Sequence, residues 1–365
     1  MRRNPFTRLK RQAEKLDLYE RAQLFLSSVY YCDEEMIDMA MSGCPPKDAI
    51  ELHCHLNALI YVASFVVIRM TAYESNFYTS YTIASHLAVI DPDHKAAHCT
   101  EEFGMHYEDQ GQGPAVLFVH GFPLDHTLWT HQIEALSDAY RVIAVDLRGH
   151  GQSEATPGPY SMATLADDLH GLLQALEVER ATLAALSMGG YVLMAFWRAY
   201  PQSVRALVLT DTRAGADTPE GRQKRKETVE QVRAEGTEDV IEGMLPRLLS
   251  RTTMRDKPEV VAHTREMMAR ASVEGVIGAL QGMAARPDST PTLKTVSVPT
   301  LIVVGEQDVI TPPDTAQAMQ DTILTGGRTT QVKLVQVPDV GHMVPIEAPE
   351  TYNQLLRGFL GDLPD

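Results

Sequence analysis

The feature that most constrains this chain is an alternation that begins after residue 100. Six apolar runs of strand length, AVLFVH, RVIAVD, ATLAALS, RALVLTD, PTLIVVGEQD and QVKLVQVP, are separated by segments of helix length. A run that is apolar at nearly every position, rather than at every second one, suits a strand buried on both faces, and such strands belong to parallel sheets covered by helices. The pattern predicts an α/β fold with a mainly parallel sheet between helical layers. Just upstream, MHYEDQGQGP reads as a mixed strand and a glycine-rich turn leading into the first buried run, so a domain is expected to span residues 99–365. One interval, about 212–295, is too long for an ordinary crossover, and its charged, helix-periodic stretches KRKETVEQVRAEG and VEGVIGALQGMAAR predict a helical cap over the carboxyl ends of the strands.

Chemistry concentrates in ATLAALSMGGYVLMAFWRAY. A short apolar strand ends at Leu186, Ser187 stands at the turn, and Met188, Gly189 and Gly190 open a helix. A serine at such a turn is lifted clear of the sheet, beside backbone N–H groups at a helix start that can stabilise an oxyanion. The pattern departs from GxSxG in having Ala185 at its first position, one methyl more in a crowded turn. VLFVHGFPLDHTLW places His120 and Gly121 at the end of another strand, where the N–H of Phe122 is a second candidate donor. VGEQDVITPP puts Asp308 just past a buried strand, and VPDVGHMVPIEAPE puts His342 in a loop before the last helix. Ester cleavage needs these parts: a base near neutral pKa to take the serine proton, a carboxylate to orient it, and donors for the developing negative charge. Asp308 also reads as a plain helix cap, and Asp211, at the end of RALVLTD, is a rival acid. His120, and His150 with Arg148, read as braces of their turns.

Five motifs in order, HGF, DLRGHGQS, LSMGGY, GEQDVITPP and GHMVPIEAP, make residues 101–365 resemble the α/β-hydrolase superfamily, most of all small bacterial carboxylesterases and the 3-oxoadipate enol-lactonase group. The resemblance implies Ser187 as nucleophile, His342 as general base, Asp308 as orienting acid, and Phe122 and Met188 as oxyanion donors. It implies a serine hydrolase acting on small to medium carboxylic esters or lactones through an acyl-enzyme, with neither metal nor organic cofactor. Related activities stay open: enol-lactone hydrolysis, for which Arg213 is the candidate carboxylate-binding residue, carbon–carbon bond hydrolysis, and a perhydrolase side reaction. A serine at the elbow sets aside the relatives that form an alkyl-enzyme ester on aspartate. A ligand-binding sensor on the same fold is the non-enzymatic alternative. Trp129, Met244 and Leu248 are candidate pocket-wall residues.

Residues 1–98 read differently. All four cysteines, Cys32, Cys44, Cys54 and Cys99, fall within the first 99 positions, and no CxxC pair is present. RLKRQAEKLDLYERAQLFLSSVYY predicts an amphipathic helix, and LNALIYVASFVVI a buried element too short to span a bilayer. The segment is expected to form a mainly helical module that docks or oligomerises. His53, Cys54, His55, His94, His98 and Cys99 cluster without completing a metal-module signature, so no metal site is expected. The formal charge of -16 repels nucleic-acid backbones and anionic membranes, so neither is expected as a partner; the resemblance implies a small ester or lactone as substrate, and a homo-oligomer through the amino-terminal module is a further expectation. The basic start lacks an uninterrupted apolar core, so no cleavable signal or stable membrane insertion is expected and cytoplasmic residence is the default.

Overall fold

A computed structural model of the chain describes residues 104–329 and 331–364. The expectations for residues 1–98, including the helical module and the His/Cys cluster, lie outside the described residues.

Seven strands form one sheet: β1 (Tyr107–Gln110), β2 (Ala115–Val119), β3 (Arg141–Val145), β4 (Ala181–Leu186), β5 (Val204–Thr210), β6 (Thr300–Gly305) and β7 (Val332–Val337), in the order β1-β3-β2-β4-β5-β6-β7. The six apolar runs are β2 to β7, all parallel, and the polar YEDQ is β1, antiparallel to β3 at the edge. Position in the sheet explains the sequences. Every residue of β2, β4 and β6 is buried, whereas edge strands β1 and β7 keep polar, partly exposed residues.

Alternate side chains of one strand feed two cores. Leu117 and Val119 of β2 join Ile143 and Val145 of β3 on one face, where they meet α2 (Met162–Ala175) and α3 (Met188–Ala199). Val116 and Phe118 point to the other face, with Ile133 and Leu136 of α1 (Thr130–Leu136) and with Tyr352 and Leu356 from a carboxyl-terminal helix described below. Helix starts follow local chemistry: Ser161 caps α2 by accepting from the Thr164 amide.

Between β5 and β6 lie α4 (Pro219–Glu235), α5 (Glu238–Leu248), α6 (Arg251–Asp256), α7 (Pro258–Ala269) and α8 (Val273–Ala285). Thr218, Ser250 and Ser272 cap α4, α6 and α8 through their hydroxyls, and Pro219 and Pro258 open α4 and α7 with a residue that needs no N–H there. The short α9 (Thr290–Leu293) follows, but it packs on α3 and on α10 (Pro313–Gly326), so it belongs to the sheet's helical layer rather than to the insertion. Arg270 of the insertion pairs with buried Asp125 at 2.5 Å, and the Ser272 amide donates to Gly149 O, which hold the insertion on the loops after β2 and β3. After β7 come α11 (Val344–Glu347) and α12 (Pro349–Gly361).

The chain leaves β2 toward β3 on one side and returns to β4 on the other. The carboxyl ends of β2 and β4 therefore flank a topological switch point, where open α/β sheets bind ligands.

Candidate active site

Ser187 lies at that switch point, between β4 and α3, with φ 52° and ψ -111°. Positive φ is uncommon for a residue with a side chain and persists only where the surroundings impose it. Here they do: the Ser187 amide donates to Thr210 O at 3.0 Å, its carbonyl accepts from the Thr212 hydroxyl at 2.7 Å, and the Gly190 amide closes the turn onto the same carbonyl. A methyl group on Gly189 would stand 2.5 Å from Val119 O and 2.8 Å from His120 O, and one on Gly190 would collide with Thr212. A side chain at either position would force its neighbours to shift, which favours glycine at both. Fully buried Ala185 fits because its neighbour across the turn, Gly189, lacks a side chain.

The strand end before Phe122 packs against the serine. A methyl on Gly121 would sit 3.1 Å from Ser187 Cβ. His120 fixes this loop: its Nε2 accepts the Leu147 amide at 2.9 Å, which leaves Nδ1 to donate to Gly121 O at 2.7 Å. Burial lowers the His120 pKa, in keeping with a neutral ring. His150, whose Nδ1 faces Arg148 O, is pushed down to about 3 by burial. Met188 opens α3, so its N–H has no intrahelical acceptor, and both Phe122 and Met188 are buried.

Asp308 and His342, carried by the loops after β6 and β7, meet each other. His342 Nδ1 lies 2.7 Å from Asp308 Oδ2, with the two residues 1% and 3% exposed. The remaining capacity of Asp308 is filled by the Ile310 and Thr311 amides on Oδ1 and the Thr311 hydroxyl on Oδ2. Burial pushes this carboxyl up, but the hydrogen bond and charge of His342, helped by Thr311, hold it at about 2. It is ionised at neutral pH and can only accept, so His342 Nδ1 is the donor to it, and in the neutral ring Nε2 is the nitrogen free to act as base.

Asp211 is the third member of this cluster. Its carboxyl lies within 4.8 Å of the ligating atoms of Asp308 and His342, and it is buried at φ 44°. Gly305 N–H donates to Oδ1 at 2.8 Å, and Oδ2 has no hydrogen bond within normal distance among the described residues. Burial first, and the charge of Asp308 second, raise its pKa well above the usual carboxylate range. Because Thr210 and Thr212 grip Ser187, the segment 210–212 joins the serine turn to the acid cluster. His106, His126 and Asp146 form another group of donors within 4.8 Å, in which His126 Nδ1 pairs with Asp146 Oδ1 at 2.8 Å.

A match to the family model for the alpha/beta hydrolase fold over residues 114–349 decides the assignment. The chain belongs to that family. This α/β-hydrolase is 31% identical over 249 residues to 3-oxoadipate enol-lactonase 1 of Acinetobacter baylyi, covering 68% of this chain and 88% of the relative. Among solved structures, it is similar to a thermophilic esterase from Thermogutta terrifontis with malate bound, at 45% identity and TM-score 0.68, covering 71% of this chain and 93% of the esterase. The enol-lactonase from Burkholderia xenovorans LB400 is 27% identical with TM-score 0.65, over 71% of this chain and 96% of that one.

Two of the three expected wall residues of this hydrolase lie in the core instead. Trp129 is fully buried against Phe118 and Tyr352, and Leu248 is 1% exposed; Met244 is partly buried against both cores. Arg213 pairs with buried Asp217 at 3.2 Å, and Arg225 and Arg286 reach the same carboxylate. Sequence reading missed buried Glu347 altogether. Its only signal was a second acid close behind His342.

Proposed function

We propose that this hydrolase is a serine carboxylesterase that cleaves small to medium esters or lactones through an acyl-enzyme. The observation that carries the reading is a serine forced into positive φ at the switch point, joined through segment 210–212 to a buried His342–Asp308 pair. In the first half-reaction, Ser187 Oγ attacks the acyl carbon while His342 Nε2 takes the hydroxyl proton. The oxyanion that forms accepts from the Phe122 and Met188 N–H groups, and Asp308 stabilises the imidazolium. Collapse breaks the ester bond, and the imidazolium returns its proton to the leaving alcohol. Water then attacks the acyl-enzyme, with His342 again as base, and releases the acid and free serine. The scheme needs only side chains and water. Among the described residues no helix is long and apolar enough to cross a membrane.

Turnover of p-nitrophenyl esters from acetate to octanoate, wild type against Ser187→Ala, tests this reading. Hydrolysis lost in the variant with thermal unfolding unchanged supports it, and retained hydrolysis places the nucleophile elsewhere. An enol-lactone substrate is the second reading, favoured by Arg213. It adjoins Thr212, whose hydroxyl holds the Ser187 carbonyl, and its Nε is buried with no partner among the described residues. A protein inert toward every ester and lactone but folded would favour the sensor.

A further inference from the structure

Glu347 is a buried carboxylate with no cation on it among the described residues. It is 3% exposed, and its oxygens are occupied by backbone amides: Gly341 N–H at 3.0 Å and Met343 N–H at 3.3 Å on Oε1, Ser250 N–H at 2.8 Å on Oε2. The first two amides bracket His342. The third belongs to the insertion, at the junction between α5 and α6. A second thread runs alongside, because the His342 amide itself donates to Leu248 O at 2.8 Å. The two segments also touch backbone to backbone: a methyl group on Gly341 would stand 2.6 Å from Ser250 N and 2.8 Å from Leu249 C. Lys257, at the junction of α6 and α7, adds a bond from its ammonium to the Glu347 carbonyl at 2.7 Å.

Hydrogen bonds from amides to a carboxylate are charge-assisted and strong, and a buried carboxylate that loses them has no water to turn to. The loop that carries His342 therefore cannot shift without breaking bonds to segment 248–250, and the reverse holds too. We propose that Glu347 is a positioning residue that locks the His342 loop to the cap segment Leu248–Ser250, so that placement of the base depends on the seating of the cap. The inference rests on His342 acting as the base in the proposed reaction.

Glu347→Gln keeps the volume but offers one acceptor oxygen in place of two. Either Ser250 N–H or the Gly341/Met343 pair must then face an NH2 group. Misplacing a catalytic group by a fraction of an ångström to an ångström costs on the order of 10- to 100-fold in rate. In full-length protein with p-nitrophenyl butyrate, kcat should fall by that factor while KM stays within about threefold, because the substrate's own contacts are intact. Hydrogen exchange supplies the second readout: peptides covering 248–250 and 341–343 should lose protection together in the variant, while β4 keeps its own. If Glu347→Gln does not fold, the wild type still decides, since a locked pair opens as one unit and the two peptides should exchange at rates within about threefold of each other. Unchanged kcat, or loss of protection in one peptide alone, overturns the proposal. So do wild-type peptides that open at widely different rates. Ser187→Ala, run in parallel, separates the failures: if it retains turnover the serine mechanism itself fails, and if it is inactive while Glu347→Gln is unimpaired only the lock fails.

Discussion

Asp308→Asn should cost about 10⁴-fold in kcat, and the structure supplies the reason. The side chain accepts two backbone amides on Oδ1, and His342 with the Thr311 hydroxyl on Oδ2. An asparagine has one oxygen to offer. Turned toward His342, it would set its NH2 against the two fixed N–H groups of Ile310 and Thr311. Turned toward those amides, it sets the NH2 against His342 Nδ1, while the Thr311 hydroxyl can rotate to accept. The second arrangement conflicts with one group that can adapt, the imidazole, which moves its proton from Nδ1 to Nε2. The ring is then held in the tautomer that cannot take the serine proton. Loss of the orienting carboxylate in serine triads of this geometry lowers kcat by about 10⁴, or about 5.5 kcal/mol of transition-state stabilisation. Asp211→Asn is the control: burial and the charge of Asp308 disfavour the charged form of Asp211, and an asparagine keeps the oxygen that accepts from Gly305 N–H. The assay is steady-state hydrolysis of a short p-nitrophenyl ester by both variants, with folding checked by circular dichroism. If Asp211→Asn is the inactive variant and Asp308→Asn turns over freely, the assignment of the orienting acid is refuted.

Asp211 also carries a pH signature. Its folded pKa is raised, so its contribution favours the native state at low pH and is lost as pH climbs past the unfolded value near 4 toward the folded one. The Tm of Asp211→Asn relative to wild type should therefore rise between pH 4 and pH 8; a difference independent of pH would mean the group is not held neutral. Asp308 runs the other way: its folded pKa of about 2 gives stability present above pH 4 and lost as pH falls toward 2, a slope that Asp308→Asn should flatten in acid unfolding curves. Gly189→Ala should lower Tm by an amount matching about 1–3 kcal/mol and reduce kcat more than KM, since the added methyl presses on the backbone carbonyls of Val119 and His120 beside the oxyanion loop; a variant with wild-type kcat would show that the turn tolerates a side chain there. A chain lacking residues 1–98 should express as a folded, cooperatively melting domain, and an insoluble product would mean that the removed segment covers core surface.

What the sequence disclosed and what it hid follow from the range of the interactions involved. β2 to β6 were legible because parallel strands buried on both faces leave an apolar run, whereas edge strand β7 was legible from its apolar alternation, and the serine turn because crowding favours glycine at 189 and 190, within four residues of Ser187. Strand position alone did not separate the two acids, since Asp211 and Asp308 each follow a buried strand; the resemblance favoured Asp308, and the loops after β6 and β7 are what bring a carboxylate to His342. Trp129 reads like a pocket wall because a tryptophan near a ligand loop is a natural lid over apolar substrate, yet a short 3-10 helix over His126–Trp129 turns it into the core against Tyr352, more than two hundred residues away. Glu347 left the least trace. A glutamate in the string IEAPE resembles any exposed helix-start acid, and what removes it from water is a set of amides, one of them 97 residues upstream. A buried carboxylate satisfied by peptide N–H groups needs no basic residue at a fixed spacing, so charge pairing in the sequence cannot reveal it. The residues that bind reacting groups must carry particular chemistry and so announce themselves, whereas those that hold the base in place need only a shape that backbone from elsewhere can complete.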